Sequence, residues 1–242
     1  MFNKKIENIN CKVFYPENEI KQVLIAVHGF AGDCESSVIS AVASLLGDNT
    51  LTLAFDLPCH GGDKTTGTLR LENCFEYLDK VTSYVKQKYK DVPISFFATS
   101  FGAYLLLNHL KHDKYNYLHI ILRSPAIFMD EVLENNILPC HDLTIDDLMQ
   151  NQQNLGFEKE LIIDKAFLQE LKSNSLKDAK FGMHIDVIQG DQDDVVSVVD
   201  NDKFFKSNCS DYNIYYIKGA DHRFKKPGEL EQILKIVKDI MK

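Results

Sequence analysis

Short, unbroken apolar runs alternate along this chain with longer stretches in which apolar residues recur at every third or fourth position. The runs are Val23–Val27, Thr50–Phe55, Ile94–Ala98, His119–Leu122, His184–Ile188 and Ile214–Ile217. Each is of strand length and stops at a turn former or a polar residue, the mark of a strand buried on both faces. The stretches Ser36–Leu46, Leu71–Tyr89, Phe101–His109, Val198–Phe205 and Leu230–Met241 read as amphipathic helices. Strand, helix, strand in regular order implies parallel strands joined by crossovers. The expected fold is therefore α/β: a doubly wound, mostly parallel sheet with helices on both faces. Cys11–Tyr15 adds an antiparallel edge strand.

One stretch departs from this rhythm. Between Ala126 and Lys180 no apolar run of the buried type occurs. Asp130–Asn136, Ile145–Gln153 and Lys165–Lys172 read as short helices, and Leu161-Ile-Ile163 as a small hairpin strand. An excursion of this kind between two core strands is expected to form a small, mainly helical cap at 126–180. The whole chain, 1–242, is expected to be one domain, since single α/β domains reach this length with a sizeable core.

Composition narrows the classes of function. The formal net charge is -8, and an acidic chain gains nothing from counterion release on a polyanion, so a nucleic-acid partner is not expected. The six cysteines, Cys11, Cys34, Cys59, Cys74, Cys140 and Cys209, are dispersed, without a Cys-x-x-Cys pair, and read as reduced thiols of a cytoplasmic protein. No Cys/His cluster has the spacing of a metal site, so neither metal nor cofactor is expected. The N-terminal lysines are followed by no apolar segment of signal-peptide type, and no apolar run is long enough to span a bilayer.

The candidate chemistry sits where the predicted strands end. Ala98-Thr-Ser-Phe-Gly102 leaves the strand at Ile94–Ala98 and opens the helix at Phe101, the strand–turn–helix setting of a nucleophile elbow. Small residues must flank such a serine because the turn is tight, and Ala98 and Gly102 occupy those places. Ser100 then projects above the strand ends beside a helix N-terminus that favours developing negative charge. Gln189-Gly-Asp-Gln-Asp-Asp-Val-Val196 leaves a later strand with three aspartates. A glycine three residues before and a hydrophobic residue three after favour Asp193 as the acid. Asp194 stays open as the alternative, and Asp191 reads as a loop or capping residue. Gly219-Ala-Asp-His222 follows the last strand and offers His222 as a base. The order Ser, Asp, His, each at the C-terminal end of its own strand, places all three at the edge where parallel sheets collect reactive groups. His60, in Asp56-Leu-Pro-Cys-His60-Gly61, precedes the serine and reads as structural.

These motifs, with His28-Gly-Phe-Ala-Gly32 after the first parallel strand, resemble the α/β-hydrolase superfamily in kind and order. Within it, the short cap and the Gly-Ala-Asp-His-Arg-Phe224 ending resemble bacterial esterases of the feruloyl/cinnamoyl esterase and acyl-thioesterase neighbourhood. Two positions depart from the usual pattern: Ala98 stands where glycine is commoner, and Ser197 where proline often stands. The resemblance implies a serine hydrolase that cleaves carboxylic esters through an acyl-enzyme intermediate, with Ser100, Asp193 and His222 as triad. It implies an oxyanion hole made by the backbone N–H groups of Phe30 and Phe101. The implied partner is a small-molecule ester, without cofactor. An acyl thioesterase or a lysophospholipase-like hydrolase is the alternative, and a catalytically silent binding protein on the same fold is a further one.

Overall fold

The computed structural model describes residues 2–63, 67–156 and 159–242. Among the described residues, ten strands and eight α-helices follow one another. They are β1 (Phe2–Ile6), β2 (Ile9–Phe14), β3 (Gln22–Val27), α1 (Ser37–Leu45), β4 (Thr50–Phe55), α2 (Leu71–Lys88), β5 (Ile94–Thr99), α3 (Phe101–Leu110) and β6 (Ile120–Arg123), then α4 (Met129–Val132), α5 (Ile145–Gln150), β7 (Gln153–Asn154), β8 (Ile162–Ile163), α6 (Lys165–Ser173), β9 (Phe181–Gly190), α7 (Val198–Asn208), β10 (Cys209–Ile217) and α8 (Glu229–Ile240). Eight strands form one sheet in the order β1-β2-β4-β3-β5-β6-β9-β10. The pairs β1/β2 and β2/β4 are antiparallel; every other pair in this sheet is parallel.

Period-two alternation sorts the buried strand residues onto two faces. Val23, Ile25 and Val27 of β3 join one core with Leu78 and Val81 of α2 and Leu106 of α3. Leu24 and Ala26 join the other, with Ile39 and Val42 of α1 and Ile233 and Val237 of α8. Both faces of the central strands are covered, which explains their continuous apolar runs.

The pattern is less complete at the margins. β1 carries four residues outside the core and only Ile6 inside, so it lacks an apolar run and the sequence pattern does not show it. β9 and β10 extend beyond the expected His184–Ile188 and Ile214–Ile217, because their N-terminal halves alternate with exposed residues toward the sheet edge. The short helix expected over Asp130–Asn136 is instead α4 followed by a π-helical turn at Leu133–Ile137 and a 3-10 turn at Pro139–His141. Pro139 accounts for the change: its ring crowds the carbonyl four residues back, and the chain widens to a five-residue repeat just before it. The helix expected over Ile145–Gln153 ends at Gln150, and Gln153–Asn154 instead pairs with Ile162–Ile163 as a hairpin.

The segment from α4 to α6 lies against the α2/α3 side of the molecule. Leu133, Leu148, Ile163, Phe167 and Leu171 share the core of that face. Its helices carry their own start signals. Thr144 and Asp147 form a reciprocal cap on α5, and the Asp164 side chain accepts the Ala166 and Phe167 N–H groups at the start of α6.

Candidate functional site

The C-terminal ends of β3, β5, β9 and β10 lie on one edge of the sheet, and residues that follow β5, β9 and β10 form one hydrogen-bonded chain. Ser100 sits between β5 and α3 with φ 52° and ψ -115°, a strained backbone for a residue with a side chain. Its N–H donates to the Arg123 carbonyl at 2.9 Å, and its own carbonyl accepts from Ala103 and Tyr104. The turn is tight enough that a Cβ on Gly102 would collide with the carbonyl oxygens of Val27 and His28. The Ser100 hydroxyl makes no cap bond to its helix. Instead Oγ lies 3.1 Å from His222 Nε2.

On the other side of the ring, His222 Nδ1 lies 3.0 Å from each oxygen of Asp193. With Nδ1–H donating to Asp193, Nε2 is left as an acceptor for the serine proton. The His222 side chain is 13% exposed and that of Asp193 is fully buried. Burial opposes the Asp193 charge, but hydrogen bonds from His222 and from the Val196 and Val195 N–H groups outweigh it, so the carboxyl titrates below its ordinary value. The three competing aspartates take three different places. Asp194 Oδ1 accepts from the His222 backbone N–H at 3.3 Å and not from its ring. Asp191 Oδ1 accepts from Gly219 N–H at 2.6 Å.

The loop after β3 lies beside the serine. Gly29 approaches so closely that a Cβ there would sit 3.3 Å from the Ser100 Cβ. His28 secures this loop: its Nδ1 is 2.8 Å from the Gly29 carbonyl and its Nε2 accepts the Leu57 N–H at 3.0 Å. Burial pushes the His28 pKa down, so the ring is neutral. His60 is also buried and neutral, its pKa pushed down to about 3 by burial and by His28, and its Nδ1 bonds the Pro58 carbonyl. It lies outside the Ser100–His222–Asp193 chain. Phe101, the first residue of α3, has a backbone N–H with no intrahelical acceptor. The rings of Phe30 and Phe101 meet edge to face at 5.6 Å, and Phe167 of α6 contacts both, at 6.5 and 6.4 Å.

Arg123, the last residue of β6, carried no signal at the level of pattern, because a charged residue closing a strand reads as punctuation. It is nonetheless buried, and its Nη2 donates to the carbonyls of His222 at 3.2 Å and Arg223 at 3.0 Å.

The family model for serine aminopeptidase, S33, matches residues 18–153, more than half of the chain. The chain belongs to that family of α/β hydrolases. The matched span contains Phe30, Ser100 and Phe101 and stops short of Asp193 and His222. Among curated proteins none matches the chain. Solved structures that resemble it include Est1E from Butyrivibrio proteoclasticus with ferulic acid bound, at 19% identity and a TM-score of 0.82, covering 100% of this chain and 98% of that one. A soluble variant of monoglyceride lipase from Saccharomyces cerevisiae is 11% identical, with a TM-score of 0.74 and coverage of 99% and 94%. Mouse alpha/beta hydrolase domain-containing protein 10 is 14% identical, with a TM-score of 0.72 and coverage of 98% and 96%. At these identities the likeness is one of fold. Among the described residues of this family member, no helix is long and apolar enough to cross a membrane.

Proposed function

We propose that this hydrolase cleaves carboxylic esters of small molecules, with Ser100 as nucleophile, His222 as general base and acid, and Asp193 as the carboxylate that orients and stabilises the imidazolium. The observation that carries the reading is the continuous relay from Asp193 through both ring nitrogens of His222 to the strained Ser100. His222 Nε2 takes the hydroxyl proton as Oγ bonds to the ester carbonyl carbon, and the carbonyl oxygen becomes an oxyanion. The N–H groups of Phe30 and Phe101 stabilise that charge; one such donor is typically worth about 2.7–4 kcal/mol. His222 then protonates the departing alcohol, leaving an acyl group on Ser100. Water, deprotonated by His222, releases the acid and restores the serine. Residues 126–180 act in this reading as a cap, with Phe167 bracing the two oxyanion loops.

One feature supports an ester over an amino-terminal peptide. Est1E, with the same fold, holds ferulic acid, an aromatic acid of the kind an ester releases. A panel of p-nitrophenyl esters of graded acyl length, acyl thioesters and aminoacyl anilides tests the reading. Esters should give the highest kcat/KM. Faster turnover of thioesters would move the assignment to an acyl thioesterase, and turnover of anilides alone would overturn it.

A further inference from the structure

Arg123 touches both halves of the proposed relay from one position. Its backbone carbonyl accepts from Ser100 N–H at 2.9 Å, and it pairs in register with Thr99 of β5 and Ile188 of β9. Its side chain runs to the loop after β10, where Nη2 donates to the carbonyls of His222 and Arg223 and the guanidinium carbon lies 4.6 Å from the centre of the Phe224 ring. The residue is 7% exposed, and its Nε is buried with no hydrogen-bond partner among the described residues. Burial lowers its pKa to about 10, partly offset by the charges of Asp193 and Asp221, so it is a cation at neutral pH.

Packing alone does not account for an arginine here. A buried guanidinium that bonds backbone carbonyls, with a donor left over, costs desolvation energy that an apolar side chain would avoid. What the guanidinium supplies is a grip on the backbone of the histidine itself. His222 has its N–H on Asp194 Oδ1 and its carbonyl on Arg123 Nη2, so its peptide is held from both sides while its ring bridges Asp193 and Ser100. The charged groups that bond His222 are Asp193 and Asp194 from the loop after β9 and Arg123 from β6.

Building on the esterase reading, we infer that Arg123 is a positioning residue, whose Nη2 fixes the backbone of His222 at the distance from Ser100 that proton transfer requires. Two variants of the full chain test this. Arg123→Lys keeps the charge but lacks the planar guanidinium that stacks on Phe224 while Nη2 reaches both carbonyls. Arg123→Met removes the charge as well. In both, kcat for p-nitrophenyl acetate should fall roughly 10- to 100-fold with KM little changed, the loss expected when a catalytic group drifts by about 1 Å.

An activity-independent readout accompanies the kinetics. The low-field proton resonance of His222 Nδ1–H, hydrogen-bonded to Asp193, should be observable in the unmodified protein and broadened by exchange in both variants. Wild-type kcat in Arg123→Lys with an unbroadened resonance would overturn the inference, as would a loss that merely tracks the fraction unfolded at the assay temperature. An unmodified protein that hydrolyses no ester, but whose resonance broadens in the variants, would remove the esterase reading and leave the positioning role standing.

Discussion

At the scale of single residues, the site depends on a few positions where alternatives are sterically or electrostatically excluded. Gly102 is one. Its replacement by alanine puts a methyl group onto the Val27 and His28 carbonyls, which belong to the strand and loop beside Ser100. Overpacking of this kind costs about 1–3 kcal/mol or more. Gly102→Ala should therefore lower the thermal midpoint and reduce ester turnover together. Asp193 is another. Asp193→Asn should reduce kcat by a factor on the order of 10⁴, since the amide stabilises the wrong imidazole tautomer. Asp194→Asn should cost far less, because the Asp194 carboxylate accepts from the His222 backbone and not from its ring. Steady-state kinetics of the two variants give the ranking, and the reverse order would move the acid to Asp194. The Asp193 carboxyl also carries a pH signature. Its folded-state pKa is depressed, so its contribution to stability is present above the ordinary carboxyl value of about 3.9 and is lost as pH falls through the lower folded value. Denaturant unfolding measured between about pH 6 and 3 should show a shallower decline for Asp193→Asn than for the unmodified chain. Ser100 and His222 were legible at this scale, because a small-residue turn after an apolar run and a glycine-led loop after the last run are local features. The choice among Asp191, Asp193 and Asp194 rested on spacing alone. What separates them is which carboxylate is buried toward the ring, and that depends on how the turn closes around the Val195 and Val196 N–H groups. Arg123 was not legible, because its role depends on β6 lying next to β9 in space.

At the scale of elements, the segment between β6 and β9 is tied down by named contacts. Arg70, just before α2, makes a bidentate pair with Asp164, at 2.9 and 2.7 Å, and a longer one with Glu170. Glu170 also accepts the Leu71 N–H at the start of α2, and the Tyr104 hydroxyl of α3 donates to the Asn174 carbonyl at 3.1 Å. Because Asp164 is itself the cap of α6, one carboxylate joins the start of α6 to the start of α2. Both partners of the ion pair are partly exposed, so its net worth is on the order of 1 kcal/mol. Arg70→Ala should leave the central sheet protected from hydrogen exchange while amides of α6 exchange faster. KM for bulky acyl esters should change more than that for acetate, because Phe167 would no longer be held against Phe30 and Phe101. Unchanged exchange in α6 would show that apolar packing alone holds it. The core strands of this fold were legible because both their faces are covered and their apolar runs are unbroken. β1 and the N-terminal halves of β9 and β10 were not, since an edge exposes one side and dilutes the run. The π-turn at Leu133–Ile137 depends on crowding by Pro139, an effect that periodicity does not register.

At the scale of the whole molecule, the sheet order brings together at one edge residues far apart in the chain. Ser100 and His222 are 122 positions apart, and only the adjacency of β5, β6, β9 and β10 makes them neighbours. The family membership and the fold likeness agree with a hydrolase, and the proposed reaction is argued from the relay at that edge. A relay of this kind acts as a unit. Ser100→Ala, His222→Ala and the double variant should therefore lose nearly the same several orders of magnitude in turnover, far from the product of the two single losses. The central claim is that Ser100 is an activated nucleophile. Its most direct test is labelling of the intact protein with a fluorophosphonate, read by mass spectrometry with the adduct mapped to a residue. The account predicts one adduct, on Ser100, formed quickly in the unmodified protein, much more slowly in His222→Ala and absent in Ser100→Ala. An unlabelled protein, or an adduct on any other residue, would contradict it.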